Sequence, residues 1–232
     1  MRHDDVDQFY NLLSKLEEQV GGKQKLKDCT GYMDWPDRGV YFFFAPDEYR
    51  GDQLRITRVG THAVSEGSQT SLWDRLRTHR GAQRGTYEGG GNHRGSVFRK
   101  RVGEAMIERD GLNDEYPKWG HGSSAGRELR LSELEMERRV SDYLRDLPFL
   151  WVKVDDEPGP ESQRAYIERN AIALLSNYDR ELIDPREDWL GRYSRSERIR
   201  ESGLWNVNHV DEEYDTVFLD ILQDHIHQTS SV

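Results

Sequence analysis

Tyr41, Arg75, His79 and Glu168 are the side chains whose types suit the hydrolysis of a phosphodiester. That reaction needs a carboxylate to hold a hard cation such as Mg2+. It needs a group to orient or deprotonate water and a cation to stabilise negative charge on the phosphate. Arg75 and His79 are four positions apart, so on a helix they face the same way. Arginine makes forked contacts to phosphate, although the same pair also reads as a plain surface pair. Glu168 shares a helical side with Ala171, Ile172 and Leu175. A charge beside an apolar stripe is costly unless it is paired or metal-bound. A carboxylate at the stripe edge that reaches solvent is the alternative. Asn170 is a helper to it or a surface amide. Tyr41 sits in "GVYFFF", where strand alternation puts Tyr41 and Phe43 on one face and Val40, Phe42 and Phe44 on the other. A core tyrosine with a satisfied hydroxyl is its default reading.

The elements that must position these residues follow from periodicity. Asp4 to Val20 carries Val6, Phe9, Leu12, Leu13, Leu16 and Val20 at helical spacing, stopped by Gly21-Gly22. Gly39 to Ala45 and Leu54 to Val59 are strands that pair as a hairpin, with "PDEYRGD" as a turn or short insertion between them. Ser71 to His79 is a helix. A glycine-rich loop follows, and Ser96 caps a helix through Ile107. After a second long loop, Ser132 and Glu135 form a capping-box pattern for a helix to about Asp146. "FLWVKV" is a third strand, and Glu161 to Ser176 is a helix with an apolar stripe. Short helices near Ser196–Arg200 and over Val217–Ile226 flank "SGLWNVNHVDEEYD". The order predicts an α+β fold: a small, three-stranded, mainly antiparallel sheet flanked by helices, with a loop-rich helical insertion and helical terminal extensions.

Hydrophobic residues make up 34% of the 232-residue chain and charged residues 33%, but 10% aromatics argue against disorder. The single cysteine, Cys29, excludes an intrachain disulfide and fits a reducing compartment. No stretch resembles a signal peptide or approaches a membrane span. The expectation is a cytoplasmic protein with no membrane partner. The net charge of -10 argues weakly against nucleic acid, but its distribution is uneven. Residues 75 to 101 hold eight Lys or Arg against one acid, Glu88, while residues 210 to 232 hold six acids and no Lys or Arg.

"GVY" at 39–41, "RVG" at 58–60, "RLRTH" at 75–79 and "ERNAI" at 168–172 occur in the order of the GIY-YIG nuclease superfamily, which the sequence resembles. It also looks like prokaryotic members that carry "GNHRGS" and "SGLWNVNHVD". The resemblance implies a DNA endonuclease that uses one divalent ion, Mg2+ or Mn2+. By that likeness Tyr41 orients or activates water, Arg75 contacts the scissile phosphate, Glu168 ligates the metal, His79 takes the histidine place, and Asn177 matches the asparagine after the glutamate. Arg58 stands where the second motif has tyrosine; it supplies a second phosphate contact or marks lost catalysis. The runner-up is therefore an inactive DNA-binding or partner-binding module. Gly39 and Gly60 support the strand motifs, Gly60 by leaving room for a phosphate. The implied DNA contacts are Arg58, His62, Arg77, Asn92, His93, Arg94, Arg99, Lys100 and Arg101. A homodimer is a possible partner state. The implied organisation is an extension over 1–30, a nuclease-like core over 31–180 with an insertion at about 82–146, and an extension over 181–232. "WNVNHV" is read as packing through Trp205, with a second wall of the cleft as the alternative.

Overall fold

The computed structural model describes residues 2–180 and 188–232. Within them lie eight α-helices and four strands: α1 (Arg2–Val20), β1 (Gln24–Lys25), β2 (Gly39–Arg50), β3 (Gln53–Gly60), α2 (Leu72–Arg80), α3 (Val97–Asp110), α4 (Arg127–Ser132), α5 (Leu134–Asp146), β4 (Pro148–Lys153), α6 (Gln163–Leu175), α7 (Glu197–Ser202) and α8 (Val217–His227). The expected α+β class holds. The sheet has four strands rather than three, in the order β1-β4-β2-β3, with every neighbouring pair antiparallel. The extra strand is only two residues long and carries no alternation that a sequence pattern could register.

Alternation along β2 decides the layers. Phe42 turns to the α1 side, where its ring meets Phe9 at 5.8 Å, and Phe9 in turn meets Phe218 of α8 at 5.9 Å. Phe43 turns the other way, against Phe98 of α3 at 5.6 Å and His79 of α2 at 6.1 Å. Tyr41 shares that second face, 5.6 Å from Phe43. Helices α1, α6 and α8 pack on one another, while α2 and α3 both pack on α5. Burial of these aromatic rings is the main source of cohesion.

The "PDEYRGD" segment is more than a turn: β2 continues through Arg50, and only Gly51 and Asp52 make the reversal. The β2–β3 register jumps between Phe44 and Tyr49, so Ala45 to Glu48 bulge out, with Asp47 at φ +66°, and pairing resumes at Tyr49↔Leu54. Pro46 is tolerated because a bulge asks no ladder hydrogen bond of it. The reversal falls at Gly51, φ +62°. Glu48 turns inward to accept from Arg55 Nε at 2.7 Å.

The insertion also differs from expectation. Ser132 ends α4, a helix that the periodicity missed because none of its residues is buried. Glu133 takes the cap position of α5 without a side-chain cap bond. It is occupied by Arg94, whose guanidinium donates to its two oxygens at 2.6 and 2.9 Å. The expected boundary at 180/181 abuts residues 181–187, which lie outside the described residues.

Candidate active site

The site forms at one end of the β2–β3 hairpin. Tyr41 pairs with Gly60 and Phe43 with Arg58, so Tyr41 and Arg58 are diagonal neighbours on one face. A Cβ at Gly60 would overlap the Tyr41 ring and hydroxyl. Gly60 therefore clears the tyrosine itself, not a phosphate as expected from sequence. Gly39 has a parallel reason: a Cβ there would strike the Val152 carbonyl on β4.

Tyr41 is fully buried, and its hydroxyl lies 3.0 Å from His79 Nε2. On the far side of that imidazole, Nδ1 lies 3.2 Å from Ser96 Oγ. Ser96 is fixed as the cap of α3, its Oγ accepting from Arg99 N at 3.3 Å. Burial holds the His79 pKa well below its ordinary value, and Arg75, Arg58 and Arg99 push it further down. The ring is therefore neutral, with one donor and one acceptor nitrogen. With the proton on Nδ1 facing Ser96, Nε2 accepts the Tyr41 O–H, which fixes the direction of the phenolic hydrogen.

Two guanidinium groups act on the same phenol. Tyr41 raises the Arg75 pKa more than any other group, outweighing burial, and Glu168 adds to it. Arg58 is depressed by burial, while Tyr41 and Glu168 favour its charge. It donates to the Trp205 carbonyl at 3.1 Å and lies over the Phe98 ring at 4.7 Å. The Nε atoms of Arg58 and Arg75 are buried without a hydrogen-bond partner. Unpaired buried donors are costly, and anionic oxygens would relieve both.

Glu168 enters from α6 past the end of β3, where its Oε1 accepts from Thr61 N at 3.1 Å. Thr61 Oγ1 donates to the Gly39 carbonyl at 2.9 Å, tying this point to the start of β2. Burial raises the Glu168 pKa, opposed by Arg58 and His209. A carboxylate pushed toward its neutral form gains from a divalent cation. Among the described residues no group of three or more His, Cys, Asp or Glu could hold a metal. One carboxylate suits a hard ion that keeps most of its shell as water and substrate oxygens, so Glu168 fits Mg2+ or Mn2+ in that manner.

The "WNVNHV" segment does more than pack. Trp205 is fully buried and its N donates to Thr57 O at 2.8 Å. Asn206 then pairs with Val59 through its side chain, accepting from the amide at 3.2 Å and donating to the carbonyl at 2.9 Å. Beyond it, His209 has a left-handed φ of +63° and its Nδ1 lies 2.8 Å from Glu212 Oε1. Glu212 also accepts from Arg169 of α6, and Asp215 N donates to Asn170 Oδ1 at 2.7 Å. The segment thus bridges β3 and α6 and brings His209 close enough to bear on Glu168. Thr61 and Ser96 were not assigned to the site from sequence, where Ser96 was read only as a cap; Asn206 and His209 lie in the segment whose alternative reading was a second wall of the cleft.

The predicted DNA-contact residues divide. His93, Arg94 and Arg99 are held inside the insertion. Glu137 accepts from His93 Nδ1 at 2.9 Å and Arg99 Nη2 at 2.6 Å, while His93 stacks on Trp119 at 3.8 Å. Burial opposes ionisation of Glu137, but His93 and Arg99 outweigh it and bring its pKa to about 2. These side chains bind the insertion together and leave no free edge for a phosphate, which corrects the expectation. His62 is likewise engaged: Nδ1 donates to Thr70 O at 2.8 Å and Nε2 accepts from Gly39 N at 3.3 Å. Asn170 anchors the C-terminal segment and donates to Tyr166 O at 2.8 Å. Asn177 lies beyond α6, its N–H bonded to Ser202 O at 2.9 Å. Lys100 and Arg101 are partly exposed beside Glu104. Arg77 and Asn92 are exposed.

A buried tyrosine flanked by a neutral histidine, two guanidinium groups and a carboxylate, at the end of a small antiparallel sheet, defines a site suited to phosphodiester chemistry. The family model described as "GIY-YIG domain" matches residues 1–232. The chain belongs to the GIY-YIG family, whose membership carries a nuclease-type function in general. No curated protein and no solved structure matches it. No helix among the described residues is long and apolar enough to cross a membrane.

Proposed function

We propose that the protein is a metal-dependent DNA endonuclease. The observation that carries this reading is the buried Tyr41 hydroxyl, 3.0 Å from a neutral imidazole, in a pocket where the charges of Arg58 and Arg75 bear on it. Tyr41 orients the attacking water: its O–H is held by Nε2 of the neutral His79, which leaves the lone pairs of the phenolic oxygen to accept from that water. Arg75, with its unpaired Nε, holds the scissile phosphate and stabilises its developing charge. Arg58 adds a second positive charge from the place where the family motif has tyrosine. Glu168 would hold Mg2+ or Mn2+, which when bound supplies neutralisation of the phosphate and the leaving oxygen. Thr61 N and the Thr61–Gly39 bond fix that carboxylate at the strand end.

A second reading, a DNA-binding or partner-binding module that no longer cleaves, draws on Arg58. Its guanidinium is committed to Trp205 O and to the Phe98 face, and arginine cannot serve as a base near neutral pH. Plasmid nicking with Mg2+ or Mn2+ separates the readings when Glu168→Gln is run beside the parent. Nicking by the parent and its loss in Glu168→Gln, with DNA binding retained, is expected. Equal nicking by both preparations would refute the assignment of Glu168, and none by either would favour the module.

A further inference from the structure

Between the C-terminal end of α2, the loop 82–90 and α4 lies a cleft of about 430 Å3. Arg77, Arg80, Arg84 and Arg130 line it with Tyr87 and Gly91, and no Asp or Glu does so among the described residues. In a chain of net charge -10, such a collection of arginines is a local reversal of sign. The loop that carries Arg84 and Tyr87 is closed at its base: Ala82 N donates to Gly90 O at 2.7 Å and Gly89 N to Ala82 O at 3.0 Å. Gly81 allows that closure, since at φ +80° a Cβ would strike the Gly90 carbonyl. The guanidinium of Arg130 stacks over the Tyr87 ring at 3.8 Å, which orients its donor edge without using its N–H groups.

Arg80 is held by a bond to Cys29 O at 2.5 Å, yet its Nε is buried and unpaired. Burial, and then Arg77, disfavour its charge. Arg145 lies beneath, donating to Arg80 O at 2.9 Å, and its own charge is answered by Asp142 at 3.6 Å. Asp74 answers only Arg77, at 3.0 Å. The carboxylate Glu137, near Gly90, is already saturated by His93 and Arg99. The cleft therefore has more positive charge than its neighbours balance.

We propose that this cleft binds the phosphodiester backbone of DNA outside the bond that is cut. The inference rests on the nuclease reading above and adds a second anchoring point, built on the insertion. Six helical steps from Arg75 to Gly81 span about 9 Å along α2, comparable to about three base-pair rises of 3.4 Å. Along the helix axis the two sites are therefore only a few base-pair rises apart, so a bound duplex has backbone to offer the cleft beyond the bond that is cut. Guanidinium groups with free donor edges, one held on an aromatic face, suit phosphate oxygens better than they suit a neutral ligand.

The test is equilibrium binding of a labelled duplex to the full chain, with a chelator present to prevent cleavage, over a series of salt concentrations. The Arg84→Ala/Arg130→Ala double variant is expected to bind about tenfold more weakly at moderate salt. Its slope of log K against log salt should fall by about 1.8, at roughly 0.9 per phosphate contact. The Arg84→Lys/Arg130→Lys variant keeps the charge and should retain most of the slope, whereas damage to the fold would lower binding in both and show as a lower melting temperature. Unchanged affinity and slope in the alanine variant, with the parent binding DNA in a salt-sensitive way, would overturn the cleft assignment alone. Absence of salt-sensitive binding by the parent would overturn the nuclease reading and this inference with it.

Discussion

Protonation of His62 should weaken the fold in a defined pH window. Its two ring nitrogens hold Thr70 O and Gly39 N, and only the neutral ring can donate at one and accept at the other. Burial lowers its pKa from 6.5 to about 4, with Arg164, Arg75 and Arg38 pushing the same way. A depressed histidine pKa means that the unfolded chain binds the proton more tightly than the folded one. Its contribution is therefore fully present above pH 6.5 and is lost as pH falls toward 4. The whole shift corresponds to about 3 kcal/mol, of which about 2 kcal/mol should have gone by roughly pH 5. His79 titrates in the same direction and adds to the loss. Urea unfolding at about pH 8, 6.5 and 5 measures the slope, and His62→Gln isolates the His62 part, because glutamine does not titrate. The variant should start less stable than the parent and lose about 2 kcal/mol less on acidification. Identical pH slopes in parent and variant would refute the claim that His62 is buried neutral.

Gly60→Ala should cost about 1–3 kcal/mol and lower cleavage further, because the added methyl forces Tyr41 away from His79. Gly95→Ala, where a Cβ meets nothing within 4 Å, should leave melting temperature and nicking near parent values. Asn206→Ala leaves the buried Val59 N–H and C=O unpaired and should cost about 2–4 kcal/mol by chemical denaturation. Asn206→Asp should be no better, since a carboxylate oxygen then faces the Val59 carbonyl; near-parent stability in that variant would argue against the paired geometry.

What was legible in the sequence followed periodicity and cap chemistry. The α1 stripe, the β2 alternation and the Ser96 cap lie where the pattern put them, because each is a local signal. Helical period put Arg75 and His79 on one face, whereas Tyr41 joined them only through the order of the family motifs. The failures have one physical source. Whether Arg99, Arg94 and His93 face DNA or Glu133 and Glu137 depends on contacts between residues about forty positions apart, and charge alone reads the same in both cases. The same holds for "PDEYRGD", whose polar residues suggest a turn until the Glu48–Arg55 pair draws one of them inward. Gly60 was read for its bareness, but the object it spares is set by strand register.

The Asn206 amide stands in for a peptide group, offering β3 one donor and one acceptor where a fifth strand would have offered its backbone. This ends the sheet without leaving an open margin onto which another chain could add. It also imposes an order on assembly. The hairpin and α2 emerge early in synthesis, whereas the carbonyl that steadies Arg58 and the segment that brings His209 to Glu168 come near the end. A nascent chain therefore carries the tyrosine and its arginines before it has the wall that completes their surroundings, and a chain broken off before Trp205 should expose the margin of β3 and precipitate rather than cut.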